Sequence, residues 1–210
     1  MPDSKCKICR RQGAKLFLKG EKCFSPKCPV VRKPYAPGPR HNTRRRHSVS
    51  EYGKELAEKQ KLKNWYNLKE GQFKNYVMKI LKAKGKIEDA AAFLIKTLES
   101  RLDNVIFRLG FSVSRSSARK MISHGHFLVN GKPNNIASFL VKKGDVVTVK
   151  ARSVGKGPFK NLQTTLKKYN PPSWLTLKVE KLEGEVVGEP NVEEAAPPAE
   201  ISSIFEFYSK

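Results

Sequence analysis

The four cysteines of this 210-residue chain all lie within its first 28 residues, as Cys6-Lys7-Ile8-Cys9 and Cys23-Phe24-Ser25-Pro26-Lys27-Cys28. Two close pairs joined by a short connection suit a tetrahedral Zn²⁺ held by four thiolates. Each pair forms a knuckle, and the connection folds back to close the site. Lys5, Lys7, Arg10, Lys22 and Lys27 surround the pairs and favour the thiolate form electrostatically. Two disulfides are the alternative reading in an oxidising compartment, and four free thiols the other. Zinc with every position filled by sulfur leaves no place for a reacting water. The expected role of Cys6, Cys9, Cys23 and Cys28 is therefore to hold Zn²⁺ structurally, without catalysis.

The arm so pinned is basic, and so is the whole chain. Lys and Arg total 42 against 19 Asp and Glu, a formal net charge of +23. A compact state that basic repels itself and calls for a polyanionic partner, either nucleic acid or an anionic membrane. The longest apolar run, Ala90 to Ile95, falls far short of the roughly 20 residues that span a bilayer. Met1-Pro2-Asp3-Ser4-Lys5 leads straight into the cysteines with no apolar segment. The expectation is a nucleic-acid partner in a reducing compartment, with no membrane involved. The charge is also uneven. The first 50 residues end in Arg44-Arg45-Arg46, whereas Glu180 to Glu200 holds seven Glu against the single Lys181. With Pro190, Pro197 and Pro198 nearby, residues 185–200 read as a solvated acidic linker. The tri-arginine reads either as a solvated run or as phosphate contacts, and its position between an arm and a helix favours phosphate.

Periodicity organises the remainder. Pro34-Tyr35-Ala36-Pro37-Gly38-Pro39 is incompatible with helix. Ser50 is placed to cap a helix from Glu51 to about Trp65. Phe73, Tyr76, Val77, Ile80 and Leu81 mark a second helix stopping near Gly85, with Phe73 and Tyr76 expected in the core. A third runs from Glu88, with Ala91, Leu94, Ile95 and Leu98 as its stripe. Leu98, Leu102, Val105, Ile106 and Leu109 then predict one helix closed by Gly110. Ser114 is placed to cap another, carrying Ala118, Met121 and Ile122. Phe127-Leu128-Val129 predicts a strand running into the tight turn Asn130-Gly131, and Val146 to Val149 a last strand. The expected class is α+β: a four-cysteine zinc arm (1–45), a small all-helical domain (46–97), an inserted module of two helices and a small antiparallel sheet (98–165), and a C-terminal segment (166–210) returning to the helical domain.

In the module, Arg101 and Arg108 are seven apart, and Arg115 and Arg119 are four apart, each pair expected on one helix face. Beside the tight turn they form an expected phosphate-gripping surface, with Lys120 and His124 at its edge and Lys132 on the turn. Lys59 and Lys61 add to it from the helical domain. Ordinary surface charge is the bland reading for any one of these residues. His124 and His126 have no metal-ligand spacing to a further partner.

These residues also carry a resemblance. Leu98-Glu99-Ser100-Arg101-Leu102-Asp103-Asn104-Val105, Arg108-Leu109-Gly110-Phe111, Ser114-Arg115, Ala118-Arg119, His124-Gly125-His126 and Val129-Asn130-Gly131-Lys132 closely resemble the RNA-binding domain named after small-subunit ribosomal protein four. Leu16-Phe17-Leu18-Lys19-Gly20-Glu21, Ser50-Glu51-Tyr52-Gly53, Glu58-Lys59-Gln60-Lys61, Ser173-Trp174-Leu175 and Glu206-Phe207-Tyr208-Ser209 extend the likeness over nearly the whole chain. The chain is thereby identified as a member of the bacterial-type family of that protein. The resemblance implies a primary binder of 16S-type ribosomal RNA that shapes a junction in the 5′ domain for later assembly. It also implies neighbours in small-subunit proteins five and three, contact with messenger RNA where it enters the subunit, and an influence on decoding accuracy. It places the protein in the cytoplasm within a ribosome, bacterial or organellar.

A Gly-rich phosphate loop, paired carboxylates in an apolar setting, and a nucleophile with its base are all missing from the sequence, so no enzyme is expected. No heptad seam argues for a homo-oligomer. The remaining alternative is a non-ribosomal RNA-binding regulator using the same module.

Overall fold

The computed structural model describes residues 4–38, 49–83 and 89–209. Arg44, Arg45 and Arg46, and the helix boundaries expected at Gly85 and Glu88, lie outside these residues. The chain divides into two compact units, one of Met1–Leu94 with Pro197–Lys210, the other Ile95–Ala196.

The first unit opens with three short helices, α1 (Ser4–Gln12), α2 (Glu21–Phe24) and α3 (Pro29–Arg32). Arg10 of α1 clamps the end of this arm, its Nε donating to the carbonyls of Lys33 and Tyr35, each at 3.0 Å. Helix α4 (Glu51–Trp65) starts where Ser50 caps it, the hydroxyl accepting from the Gly53 N–H at 3.2 Å. Helix α5 (Glu70–Lys82) buries Phe73, Val77 and Ile80 at helical spacing, while Tyr76 is only half-buried. Helix α6 (Ala90–Glu99) follows.

In the second unit the helix expected through Leu98 to Leu109 is broken in two. Helix α6 ends at Glu99 and α7 spans Leu102–Arg108, with Arg101 extended between them at φ −68°, ψ 138°. The break has a cause in the 137–141 segment. The N–H groups of Leu102 and Asp103 donate to the carbonyls of Phe139 and Ala137, and the Val141 N–H donates to Ser100. Backbone donors that would continue the helix are satisfied by this segment instead. Helix α8 (Arg115–Ser123) is capped by Ser114, whose hydroxyl accepts from the Ser117 N–H.

The sheet then begins with β1 (Phe127–Val129) and β2 (Lys132–Pro133), joined through Asn130 and Gly131 at φ 50° and 75°. Two successive positive φ values make the hairpin turn that the Asn-Gly pair favours. The Asn130 side chain also donates to Asp145 at 2.8 Å and accepts from the Val146 N–H at 2.9 Å. Strand β3 (Val146–Val149) pairs antiparallel with β1, setting Phe127 opposite Val149 and Val129 opposite Val147, all four buried. After it come α9 (Ala151–Val154), a 3-10 turn at Gly157–Phe159 and α10 (Leu162–Leu166).

Strand β3 is not the last. Strands β4 (Leu175–Lys178) and β5 (Glu183–Val186) complete an antiparallel sheet in the order β2-β1-β3-β5-β4. Residues from 166 onward therefore do not all return to the helical domain, and the module extends beyond residue 165. The acids of β5 are one face of a strand: Gly184 and Val186 are buried, while Glu183 and Glu185 share their face with Lys178, which lies 3.3 and 3.5 Å from them. Within the expected linker 185–200, the end of β5 and the short helix α11 (Val192–Ala195) are regular, and the rest has no helix or strand. A β-carbon on Gly184 would collide with the terminal methyl carbons of the fully buried Leu109. Gly184→Ala should therefore destabilise this unit by about 1–3 kcal/mol, read as a lower urea midpoint at unchanged m-value.

The final helix, α12 (Ile201–Ser209), does return to the first unit. Tyr208 donates to Glu70 at 2.8 Å, Lys59 lies 4.3 Å from the centre of the Phe207 ring, and Phe207 stacks near Tyr52. Glu70 also accepts from Lys59 and Lys63. Burial alone would raise its carboxyl pKa, but the hydrogen bonds from Lys59, Lys63 and Tyr208 and the charge of Lys63 outweigh it and bring the value down to about 2. A carboxylate with a depressed folded-state pKa stabilises the fold above its unfolded value and loses that contribution as pH falls toward the folded one. The docking of α12 should thus weaken between about pH 4.5 and pH 2, by a modest amount because Glu70 is half exposed. Glu70→Gln should remove this acid-side dependence from a pH series of urea unfolding curves.

Candidate nucleic-acid interface

The arginines expected to grip phosphate are largely engaged inside the second unit. Arg101 is 2% exposed. Its Nε and Nη2 donate to the two carboxylate oxygens of Asp103 at 3.0 and 2.8 Å. Arg119 reaches the same carboxylate from α8, with Nε 3.0 Å from Oδ2. Buried Glu99 anchors a second set: Arg108 donates to it through Nε and Nη2 at 2.9 and 3.0 Å, and the Asn104 amide donates at 2.6 Å. Arg108 also donates to the Ala195 carbonyl, which ties α11 to α7. Arg115 donates to the Asn104 side-chain oxygen at 2.6 Å and lies over the Phe107 ring. Arg101 and Arg108 do not share a helix face, because Arg101 precedes α7. This network joins the ends of α6, α7 and α8 with charge-assisted hydrogen bonds, and in a buried setting these are strong only when every partner is present.

Lys59 and Lys61 are likewise engaged. Lys59 is 5% exposed and pairs with Glu70 at 2.7 Å, and Lys61 pairs with Glu58. Lys120, His124 and Lys132 remain on the surface, all exposed.

Around His124 the structure gathers cations from a segment the sequence reading left unassigned. His126 Nδ1 lies 3.0 Å from the Ser153 hydroxyl of α9, and the Lys150 N–H donates to the His126 carbonyl at 2.9 Å. Gly125, at φ +68°, turns the chain there, and a β-carbon on it would stand 3.7 Å from Lys150 Nζ. Burial, then the charges of Lys156, His124, Lys150 and Arg152, holds the His126 imidazole below its ordinary pKa. Four cationic or basic groups therefore crowd one ring, and His124, Arg152 and Lys156 are exposed. Residues 150–160 hold Lys150, Arg152, Lys156 and Lys160 with no acid, and that run was the legible signal. A basic run at a helix end, with no acid in residues 150–160, suits the phosphate backbone of a folded nucleic acid.

In the arm, Cys6 and Cys9 lie on α1, Cys23 on α2, and Cys28 immediately precedes α3. None is in a disulfide, and Cys9, Cys23 and Cys28 are buried. Burial pushes the Cys9 thiol up, partly opposed by the Leu16 N–H and reinforced by the nearness of Cys23, Cys6 and Cys28. Its burial outweighs the thiolate-favouring effect expected of the flanking lysines. Among the described residues, no group of three or more His, Cys, Asp or Glu side chains is drawn together as a metal-binding set.

Residues 1–97 match the family described as Ribosomal protein S4/S9 N-terminal domain, and residues 100–147 match the S4 domain. The chain is 45% identical over 205 residues to the small ribosomal subunit protein uS4 of Kosmotoga olearia, spanning 98% of this chain and 96% of that protein. The uS4A protein of Clostridium perfringens is 47% identical over the same share of both chains. The chain belongs to the uS4 family.

The S4-domain match, residues 100–147, contains Arg101, Arg108, Arg115 and Arg119, whose guanidinium groups meet buried carboxylate and amide oxygens. Much of the basic patch, half-buried Lys150 and exposed Arg152 and Lys156, lies just beyond that match. In this uS4 chain the arginines of the motif pair with Asp103, Glu99 and Asn104 within the module, and Arg152 and Lys156 beside it are exposed.

Proposed function

We propose that this uS4 protein binds 16S-type small-subunit ribosomal RNA as a primary, non-catalytic constituent of the subunit, and holds the 5′ domain in the shape that later proteins require. One observation carries the reading: identity of 45% to a small-subunit protein across 98% of the chain, in a molecule with net charge +23. Neutralising that charge requires a polyanion of comparable extent, and a helical junction in RNA presents closely spaced phosphates read through shape. Small-subunit proteins five and three are the proposed neighbours, and messenger RNA where it enters the subunit the proposed further contact. The proposed place of action is the ribosome, cytoplasmic or organellar. Sedimentation of the tagged chain through a gradient at physiological salt tests this: it should travel with small subunits, and recovery at the top of the gradient would refute it.

The arm is the proposed holder of one structural Zn²⁺, through Cys6, Cys9, Cys23 and Cys28. The donor chemistry supports it: four thiols outside disulfides, three of them buried, with Cys9 electrostatically sensitive to the other three. Zinc would supply a cross-link between the short helices, which have few apolar residues with which to pack alone. Metal analysis of the purified chain should find roughly one zinc per molecule. A content no higher than that of the variant with all four cysteines changed to Ser would contradict it.

A further inference from the structure

The first unit contains an open cleft of about 710 Å³ between α1 and α4, within the range of small-ligand sites, ~300–1,000 Å³. Helix α1 lines it with Lys7, Ile8, Arg11 and Gln12. Helix α4 contributes Gly53, Leu56, Ala57, Gln60 and Asn64, which at spacings of three and four residues form one helix face. Ile8, Leu56 and Ala57 give the cleft an apolar wall.

The polar lining is set apart by its lack of partners. Among the described residues, the side chains of Lys7, Arg11, Gln12, Gln60 and Asn64 make no hydrogen bond or ion pair. The other lysines toward the C-terminal half of α4 behave differently: Lys59, Lys61 and Lys63 are each in an ion pair. Three amides, each both donor and acceptor, thus line an apolar-walled cleft with two uncommitted cations, and no acid lines it among the described residues. Amides suit the mixed donor and acceptor edges of a nucleobase, an apolar wall suits its face, and the cations suit the phosphates on either side.

We propose that this cleft takes a single unstacked nucleotide of the bound RNA, its base against Ile8 and Leu56, its edge read by Gln12, Gln60 and Asn64, and its flanking phosphates on Lys7 and Arg11. The inference rests on the ribosomal-RNA reading above and deepens it. Sequence-specific recognition of RNA works through such splayed-out bases, whereas duplex regions are read by shape. The cleft gives the protein a base-reading element separate from its phosphate-binding patch.

The test uses the full chain bound to 5′-domain ribosomal RNA, with ultraviolet cross-linking, base-specific chemical footprinting and a salt series. The unaltered chain should cross-link a nucleotide to peptides from residues 7–12 or 53–64 and protect one unpaired base. Gln60→Leu/Asn64→Leu should bind roughly tenfold more weakly, lose that one protection, and keep the salt slope. Lys7→Ala/Arg11→Ala should lower the slope by between about one and two. Gln60→Glu, which keeps side-chain shape and helix, should reproduce the lost protection should the leucine pair disturb folding. An unchanged footprint and affinity in the Gln60 variants would overturn the proposal, as would cleft cross-links only to another protein in assembled subunits. In both cases the unaltered chain would still prefer the junction RNA. Loss of that preference in the unaltered chain would instead overturn the ribosomal-RNA reading, and the cleft assignment with it.

Discussion

Asp103→Ala should cost the second unit about 3–5 kcal/mol of stability. Asp103 accepts both donors of the bidentate Arg101 fork and the Nε of Arg119. Arg101 is 2% exposed, so removing the carboxylate would leave its guanidinium in the interior without the two charge-assisted bonds that Asp103 accepts. The penalty is mainly that of a buried charge less well compensated, more than the lost attraction. Arg119→Ala should be far milder, about 1 kcal/mol, because the Asp103–Arg101 pair survives and Arg119 is partly exposed. Urea unfolding monitored by hydrogen exchange in peptides of α7 and α8 reads this unit separately from the first. A loss below about 1 kcal/mol on Asp103→Ala would mean that Arg101 escapes to solvent and that the network is not what joins these helices.

Removing the patch around His126 should have the opposite profile. Lys150→Ala/Arg152→Ala/Lys156→Ala should leave the fold within about 0.5 kcal/mol of the parent, since Arg152 and Lys156 are exposed and Lys150 is half-buried. Its affinity for small-subunit RNA at physiological salt should fall roughly a hundredfold, and the slope of log affinity against log salt should drop by about two. Both numbers follow from the counterions each phosphate contact releases. An unchanged slope would show that these cations face solvent in the complex and that the RNA lies elsewhere. The contrast matters because charge spacing in the sequence points to the arginines as the phosphate grip and passes over Lys150, Arg152 and Lys156.

That inversion shows what a sequence can and cannot convey. The caps at Ser50 and Ser114, the Asn130-Gly131 turn and the helix over Glu51–Trp65 were all legible, since each rests on chemistry local to a few residues. The break at Arg101 was not. Its cause lies some 35 residues onward in the 137–141 segment, and helical periodicity runs unbroken across it. Strands β4 and β5 were missed because their outward faces carry Lys178, Glu183 and Glu185, which read as solvated charge once Gly184 removes an apolar inward residue. Charge spacing likewise groups Arg101, Arg108, Arg115 and Arg119, and the fold links them through Asp103, Glu99 and Asn104. It held no information on whether carboxylates would meet them from inside: Asp103 and Glu99 look like ordinary surface acids until the fold buries them.

Binding of the purified chain to a 5′-domain junction of small-subunit ribosomal RNA, against an unrelated RNA of equal length across a salt series, tests the central claim most directly. The expected result is a preference for the junction that persists as salt rises, because shape and base contacts remain when the counterion contribution fades. Equal affinity for both RNAs, lost together with increasing salt, would reduce the protein to a non-specific polycation and contradict its role as a primary binder in the small subunit.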